Sequence, residues 1–117
     1  DPMNHDLAIL YRNMGVIYHN RKNYNEALKW YKKVLKIEEL LLDSLNVDLA
    51  VIYTNIGSVY GGKLEYGKAL EYFEKALPGY IANYGEENRN TQELKQIMER
   101  YKEVMEEKNN ANLTIIR

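Results

Sequence analysis

The chain contains no cysteine. Disulfides, thiolate metal sites and a cysteine nucleophile are thereby excluded, although no compartment is. An excess of either charge is also missing, since 16 basic and 17 acidic side chains leave a formal net charge of −1. Nothing in that balance attracts phosphate backbones or anionic membranes, so neither nucleic acid nor membrane is an expected partner. No apolar run reaches the roughly 20 residues that span a bilayer. Nucleophile–base pairs, phosphate loops and metal-ligand spacings are lacking too. We therefore expect no catalytic residues, no cofactor and no metal. The opening Asp1-Pro2-Met3-Asn4 has neither the basic flank nor the apolar core of a signal peptide. Without a methionine at position one, the chain is expected to be a piece of a longer protein, cytoplasmic in location.

What is present is tyrosine, eleven of them against one Trp and one Phe, in 117 residues that suit one domain. Repetition is present as well. Shifted by 42 residues, Leu7-Ala8 falls on Leu49-Ala50, Tyr11 on Tyr53, Asn13 on Asn55, Gly15 on Gly57 and Tyr18 on Tyr60. Further on, Tyr24 meets Tyr66, Ala27-Leu28 meets Ala69-Leu70, Tyr31 meets Phe73 and Leu35 meets Leu77. Chance likeness between two helical stretches does not keep glycines and alanines in phase.

Each repeat reads as two amphipathic helices. Leu7, Tyr11, Met14 and Tyr18 recur at spacings of four, three and four, which marks one buried face. Asn23 is placed as an N-cap, with Glu26 completing a capping-box pair. A second face runs through Ala27, Leu28, Tyr31 and Leu35. In the second repeat Gly61-Gly62 is expected to end the first helix, and Pro78 with Gly79 to kink or stop the second. The pairs Gly15 with Ala27 and Gly57 with Ala69 are expected to bring the helices of each repeat together, with tyrosines filling the space beside them. The domain is thus expected over 5–108: repeat 1 at 5–46, repeat 2 at 47–88 and a capping helix at 90–108, followed by a disordered tail at 109–117. Between the repeats a turn is expected at 43–46. The alternative is a continuous helix that passes the second repeat to another copy, giving a swapped homodimer.

Tyr11, Met14-Gly15, Tyr18, Ala27 and Tyr31, with Tyr53, Ile56-Gly57, Tyr60, Ala69, Phe73 and Ala76, resemble the tetratricopeptide signature. The usual repeat has about 34 residues; the longer period is similar to the variant of kinesin light chains and Pins-type scaffolds. The resemblance implies an all-α fold, an α-solenoid of antiparallel helix pairs whose first helices line a concave groove for a protein or peptide partner. Placed on this sequence, the groove presents Arg12, Asn13, Val16 and His19, then Thr54, Asn55 and Ser58, with Gln96 and Arg100 from the last helix. Asn13 and Asn55 correspond to a peptide-contacting asparagine of the family, and an amide both donates and accepts. Of the terminal-carboxylate clamp in chaperone-binding members, Asn55 and Arg100 match and Arg12 approximates, whereas Val16 and Gln96 do not, so a full clamp is not expected. The resemblance therefore implies a scaffold or adaptor. Two other readings stay open, a self-associating or spacer segment and the regulatory part of a larger sensor.

Overall fold

Asn4 Oδ1 accepts from the Leu7 amide at 2.8 Å, and the first helix starts there. In the computed structural model, which describes residues 4–116, five helices follow one another: α1 His5–Asn20, α2 Tyr24–Leu41, α3 Val47–Gly62, α4 Tyr66–Tyr84 and α5 Arg89–Ile116. The expectations resting on Asp1, Pro2, Met3 and Arg117 lie outside the described residues. The all-α solenoid of antiparallel pairs is what the chain adopts. Each helix packs on its neighbours in sequence, so α3 lies between α2 and α4. The body is elongated, 58 × 33 × 21 Å.

The turns within the two repeats are built alike, though not by glycine. Lys22 and Leu64, one repeat apart, both take left-handed backbone, with φ of 59° and 64°. Around them the amide of Asn23 donates to the Tyr18 carbonyl and that of Glu65 to the Tyr60 carbonyl, each at 2.9 Å. These bonds satisfy the last carbonyls of α1 and α3 in the manner of a Schellman motif. As expected, α3 ends at Gly62, but the left-handed residue that closes it is Leu64 and not a glycine. The reversal also uses Asn23 through its backbone, whose carbonyl accepts from Ala27, and its side chain makes no cap bond. The capping box expected with Glu26 is therefore not formed.

The helices of each pair meet through glycine, but against rings and not against alanine alone. A Cβ on Gly15 would collide with the Cδ1–Cε1 edge of the Tyr31 ring. One on Gly57 would lie 2.6 Å from Phe73 Cε1 and 3.1 Å from the Ala69 carbonyl oxygen. Each repeat thus seats one flat side chain of its second helix on a bare stretch of its first. Ala27, Ala69, Tyr31 and Phe73 are all buried around that seat.

The surplus tyrosines have a second use. Lys33 lies over the rings of Tyr11 (5.3 Å) and Trp30 (4.7 Å), and one repeat later Lys75 lies over Tyr53 (5.9 Å) and Tyr72 (5.4 Å). Half-buried rings at the seam between paired helices are covered by an ammonium attracted to their π-faces.

Three further differences from the sequence expectations have plain causes. The break at Pro78 does not occur. Pro78 is exposed within an unbroken α4, and Gly79 serves to let α3 approach, since a Cβ there would lie 2.8 Å from Ala50 Cβ. The first joint turns: α2 ends at Leu41, the Asn46 amide donates to the Asp43 carbonyl at 2.9 Å, and Asn46 Oδ1 caps α3 through the Asp48 amide. A continuous helix across the joint is therefore not adopted. Finally, α5 runs through Ile116 instead of stopping near Lys108, which replaces the tail expected at 109–117 over its described part. No glycine or proline interrupts Arg89–Ile116, and the Thr114 hydroxyl donates to the Asn110 carbonyl at 3.0 Å. No described helix is long and apolar enough to cross a membrane.

Candidate functional site

The cleft between α3 and α5 follows from which face of α5 is buried. Thr91, Leu94 and Met98 are buried, with Tyr101 and Met105 packed against the core beside them. That stripe fixes the helix register and leaves Asn90, Glu93 and Ile97, at spacings of three and four, along the edge facing α3. Opposite them stand Val51 and Thr54 of α3. Tyr80 and Tyr84 of α4, their rings 6.0 Å apart and nearly parallel, stand at the base. Together with Leu94 these residues enclose a cleft of about 260 Å³. The Thr54 hydroxyl donates to the Ala50 carbonyl at 3.0 Å, so it offers the cleft no free donor.

One repeat earlier the same positions carry different chemistry. Thr54 corresponds to Arg12, Tyr80 to Glu38, Asn90 to Asp48 and Ile97 to Asn55. Arg12 Nη2 donates to Glu38 Oε1 at 2.5 Å, and Glu38 is only 1% exposed. Burial pushes the Glu38 carboxyl above its ordinary range; the guanidinium of Arg12 pulls it back in part, and Asp48 pushes it further up. The groove is therefore apolar and open at the second joint but occupied by an ion pair at the first.

The sequence-derived site residues divide accordingly. Only Thr54 among them lines the cleft. Arg12, expected to lend the groove positive charge, is instead spent on Glu38. His19 is half-buried with its ring edge-on to Tyr24 (6.0 Å) and Tyr31 (6.4 Å), and burial lowers its pKa. Asn13 and Val16 are exposed, whereas Asn55 and Ser58 are half-buried. Gln96 and Arg100 are exposed and line a separate shallow depression along α5 with Lys95, Glu99 and Glu103. They were expected in the same groove as Thr54, but they stand one repeat after Thr54 and Ser58 and lie on the far side of α5 from the cleft. Val51, Tyr80, Tyr84, Asn90, Glu93 and Ile97 were missed. The signal for α5 was available in the spacing of Asn90, Glu93 and Ile97 beside the buried stripe.

No group of three or more His, Asp or Glu side chains that could hold a metal occurs among the described residues. Nothing in the cleft pairs a nucleophile with a base. What the arrangement offers is an apolar recess with a polar rim on a stack of helical hairpins, and that defines a helical-repeat protein.

The tetratricopeptide repeat family profile matches residues 6–82, more than half of the sequence, and the chain belongs to that family. Its repeats generally mediate protein–protein interaction and scaffolding and are generally non-enzymatic. Among curated proteins no relative matches the chain.

Proposed function

We propose that the chain is a scaffold or adaptor module that holds an extended segment of a partner protein in the groove along α1, α3 and α5. The observation that carries this reading is the cleft between α3 and α5. Val51, Leu94 and Ile97 give it apolar walls, Tyr80 and Tyr84 an aromatic base, and Asn90 and Glu93 a polar rim. Such a recess takes one apolar or aromatic side chain of a bound peptide, while polar groups at the rim fix its orientation. Asn13 and Asn55, one repeat apart, are the groups we assign to the peptide backbone, because an amide can accept from an N–H and donate to a carbonyl. So short a groove supports an affinity on the order of micromolar, about −8 kcal/mol.

A displayed peptide library panned on the chain, followed by calorimetry of the best binder, tests the assignment. Filling the cleft with Thr54→Arg and Ile97→Arg should weaken binding at least about tenfold, which is about 1.4 kcal/mol. Asn13→Ala with Asn55→Ala should weaken it as well. A binder indifferent to both pairs of changes would sit elsewhere, and the groove reading would fail.

A further inference from the structure

Lys29, Lys32, Lys33 and Lys36 follow one another along α2 at spacings of three, one and three, so they share one face of that helix. The face lies opposite the buried Ala27, Tyr31, Val34 and Glu38, and all four lysines are exposed. Glu26 and Glu39 stand at its ends, and no acidic residue falls between Ala27 and Ile37. One repeat later the corresponding positions hold Glu71, Glu74, Lys75 and Pro78. The packing of a repeat therefore does not call for lysine there. Like charges three and four residues apart destabilise a helix, and a ligand of opposite charge would relieve that cost.

The neighbouring helices add to the same charge. Lys32 of α2, Lys63 at the end of α3 and Lys68 of α4 stand 5.7, 6.0 and 5.5 Å from the centre of the Tyr60 ring. Lys29 and Lys33 lie over Trp30 at 5.5 and 4.7 Å. A ring face attracts an ammonium without neutralising it. Of these cations only Lys63 has an ion-pair partner among the described residues, Glu65 at 3.5 Å. Arg12, Arg89, Lys95 and Lys102, elsewhere in the fold, are all paired. Glu39 and Glu71 act on Tyr72, the ring stacked on Tyr60, and pair with none of these lysines.

We propose that the outer face of α2, with Lys63 and Lys68 at its edge, binds an acidic segment of a partner protein, a run of aspartate or glutamate in extended form. Lys29 to Lys36 spans about 10 Å along the helix, a length that about four extended residues cover. Ammonium groups are point charges without the planar fork of arginine, so the density of carboxylates on the segment matters more than their order. Nucleic acid fits less well, because the rings beneath are already covered and leave no platform for bases to stack on. A membrane also fits less well, since none of the exposed large apolar side chains lies between Tyr24 and Glu39 to enter it. None of these lysines lines the cleft between α3 and α5, so the two sites are independent.

The probe is a labelled peptide with a short glutamate run between Gly-Ser flanks, titrated into the whole protein by fluorescence anisotropy. Binding is expected with Kd on the order of 100 μM in dilute salt. It should weaken at least about tenfold as salt is raised past physiological strength, because exposed charges are screened. The same peptide with glutamine for glutamate should not bind. Lys29→Gln, Lys32→Gln, Lys33→Gln and Lys36→Gln together should weaken binding at least about tenfold, while arginine at the same four positions should keep it. Lys22→Gln, Lys95→Gln, Lys102→Gln and Lys108→Gln, an equal change in net charge, should leave it unaltered. If the first glutamine variant loses helical signal, amide chemical-shift mapping on the unaltered protein decides: shifts along α2 support the site, and shifts confined to other helices overturn it. No binding, equal loss in both glutamine variants, or binding indifferent to salt overturns it too. An oligouridylate or phosphatidylserine vesicles binding more tightly than the peptide would mean another class of partner and would also overturn the proposal.

Discussion

Replacing Gly57 by alanine is the sharpest test of how the paired helices are held. In an open helix the change would stabilise by about 1 kcal/mol, because glycine is the poorer helix former. Here the added Cβ would stand 2.6 Å from Phe73 Cε1 and 2.7 Å from its Cδ1, with the Ala69 carbonyl oxygen at 3.1 Å. The ring has little freedom to withdraw, since Phe73 is buried and Tyr101 lies 5.8 Å away, centre to centre. Overpacking of this kind costs typically about 1–3 kcal/mol and more where nothing yields. With the ring pinned, the upper part of that range (about 2–3 kcal/mol) applies, and after the propensity gain a net loss of about 1–2 kcal/mol remains. At this chain length that lowers Tm by roughly 4–8 °C. Gly67 is the internal control. A Cβ there meets only Met105 Cε, at 3.7 Å, so Gly67→Ala should raise Tm slightly. Thermal and urea melts followed by circular dichroism would show opposite signs for the two variants. Adding Phe73→Leu to Gly57→Ala should recover part of the loss, a coupling that a double-mutant cycle reads directly. If Gly57→Ala stabilises as Gly67→Ala does, the seating of ring on glycine is wrong.

Other perturbations bear on the turns, the proline and the buried pair. Leu64→Gly should stabilise by about 0.5–1 kcal/mol in urea melts, because a left-handed residue with a side chain is replaced by one that adopts that backbone freely. Pro78→Ala should raise stability by about 1–3 kcal/mol, since an exposed proline inside α4 withholds one helical hydrogen bond; no change in Tm would refute this. Glu38, raised by burial, has a higher pKa folded than unfolded. Its buried charge therefore costs stability at neutral pH, and as pH falls through the folded value the native state takes the proton first. Stability from this group rises until pH passes below the ordinary 4.5. His19, lowered by burial, acts oppositely, losing stability as pH falls from its ordinary 6.5 towards its folded value. Tm measured across pH 4–7 should lose the acid-side rise in Glu38→Gln.

Periodicity was enough for the helices, because apolar positions at spacings of three and four, repeated in phase, leave one arrangement that buries them. The joint near Asn46 was also readable, since its capping side chain is local. What escaped were features decided by a neighbour in space. That Gly62, besides ending α3, makes room for the Tyr24 ring depends on α2, which the residues around Gly62 do not reveal. Gly79 beside Pro78 reads as a helix breaker until its close contact with Ala50, far away in sequence, is seen. The groove suffered most. Arg12 reads as a free cation until Glu38, 26 residues on, is found beneath it. Gln96 and Arg100 stand one repeat after Thr54 and Ser58, so they lie on the side of α5 away from the cleft that Thr54 helps to line.

The order in which these helices touch has a consequence for how the protein comes to be folded at all. Since each one leans chiefly on the segment just made and the segment made next, native contacts are short in sequence, and closing them loses little chain entropy. Assembly on the order of microseconds to milliseconds follows for such topologies. Partial structures are then coherent pieces and not tangles: two finished hairpins stack as they emerge, and peeling α1 away at one end removes a single interface while the Phe73 core stays shut.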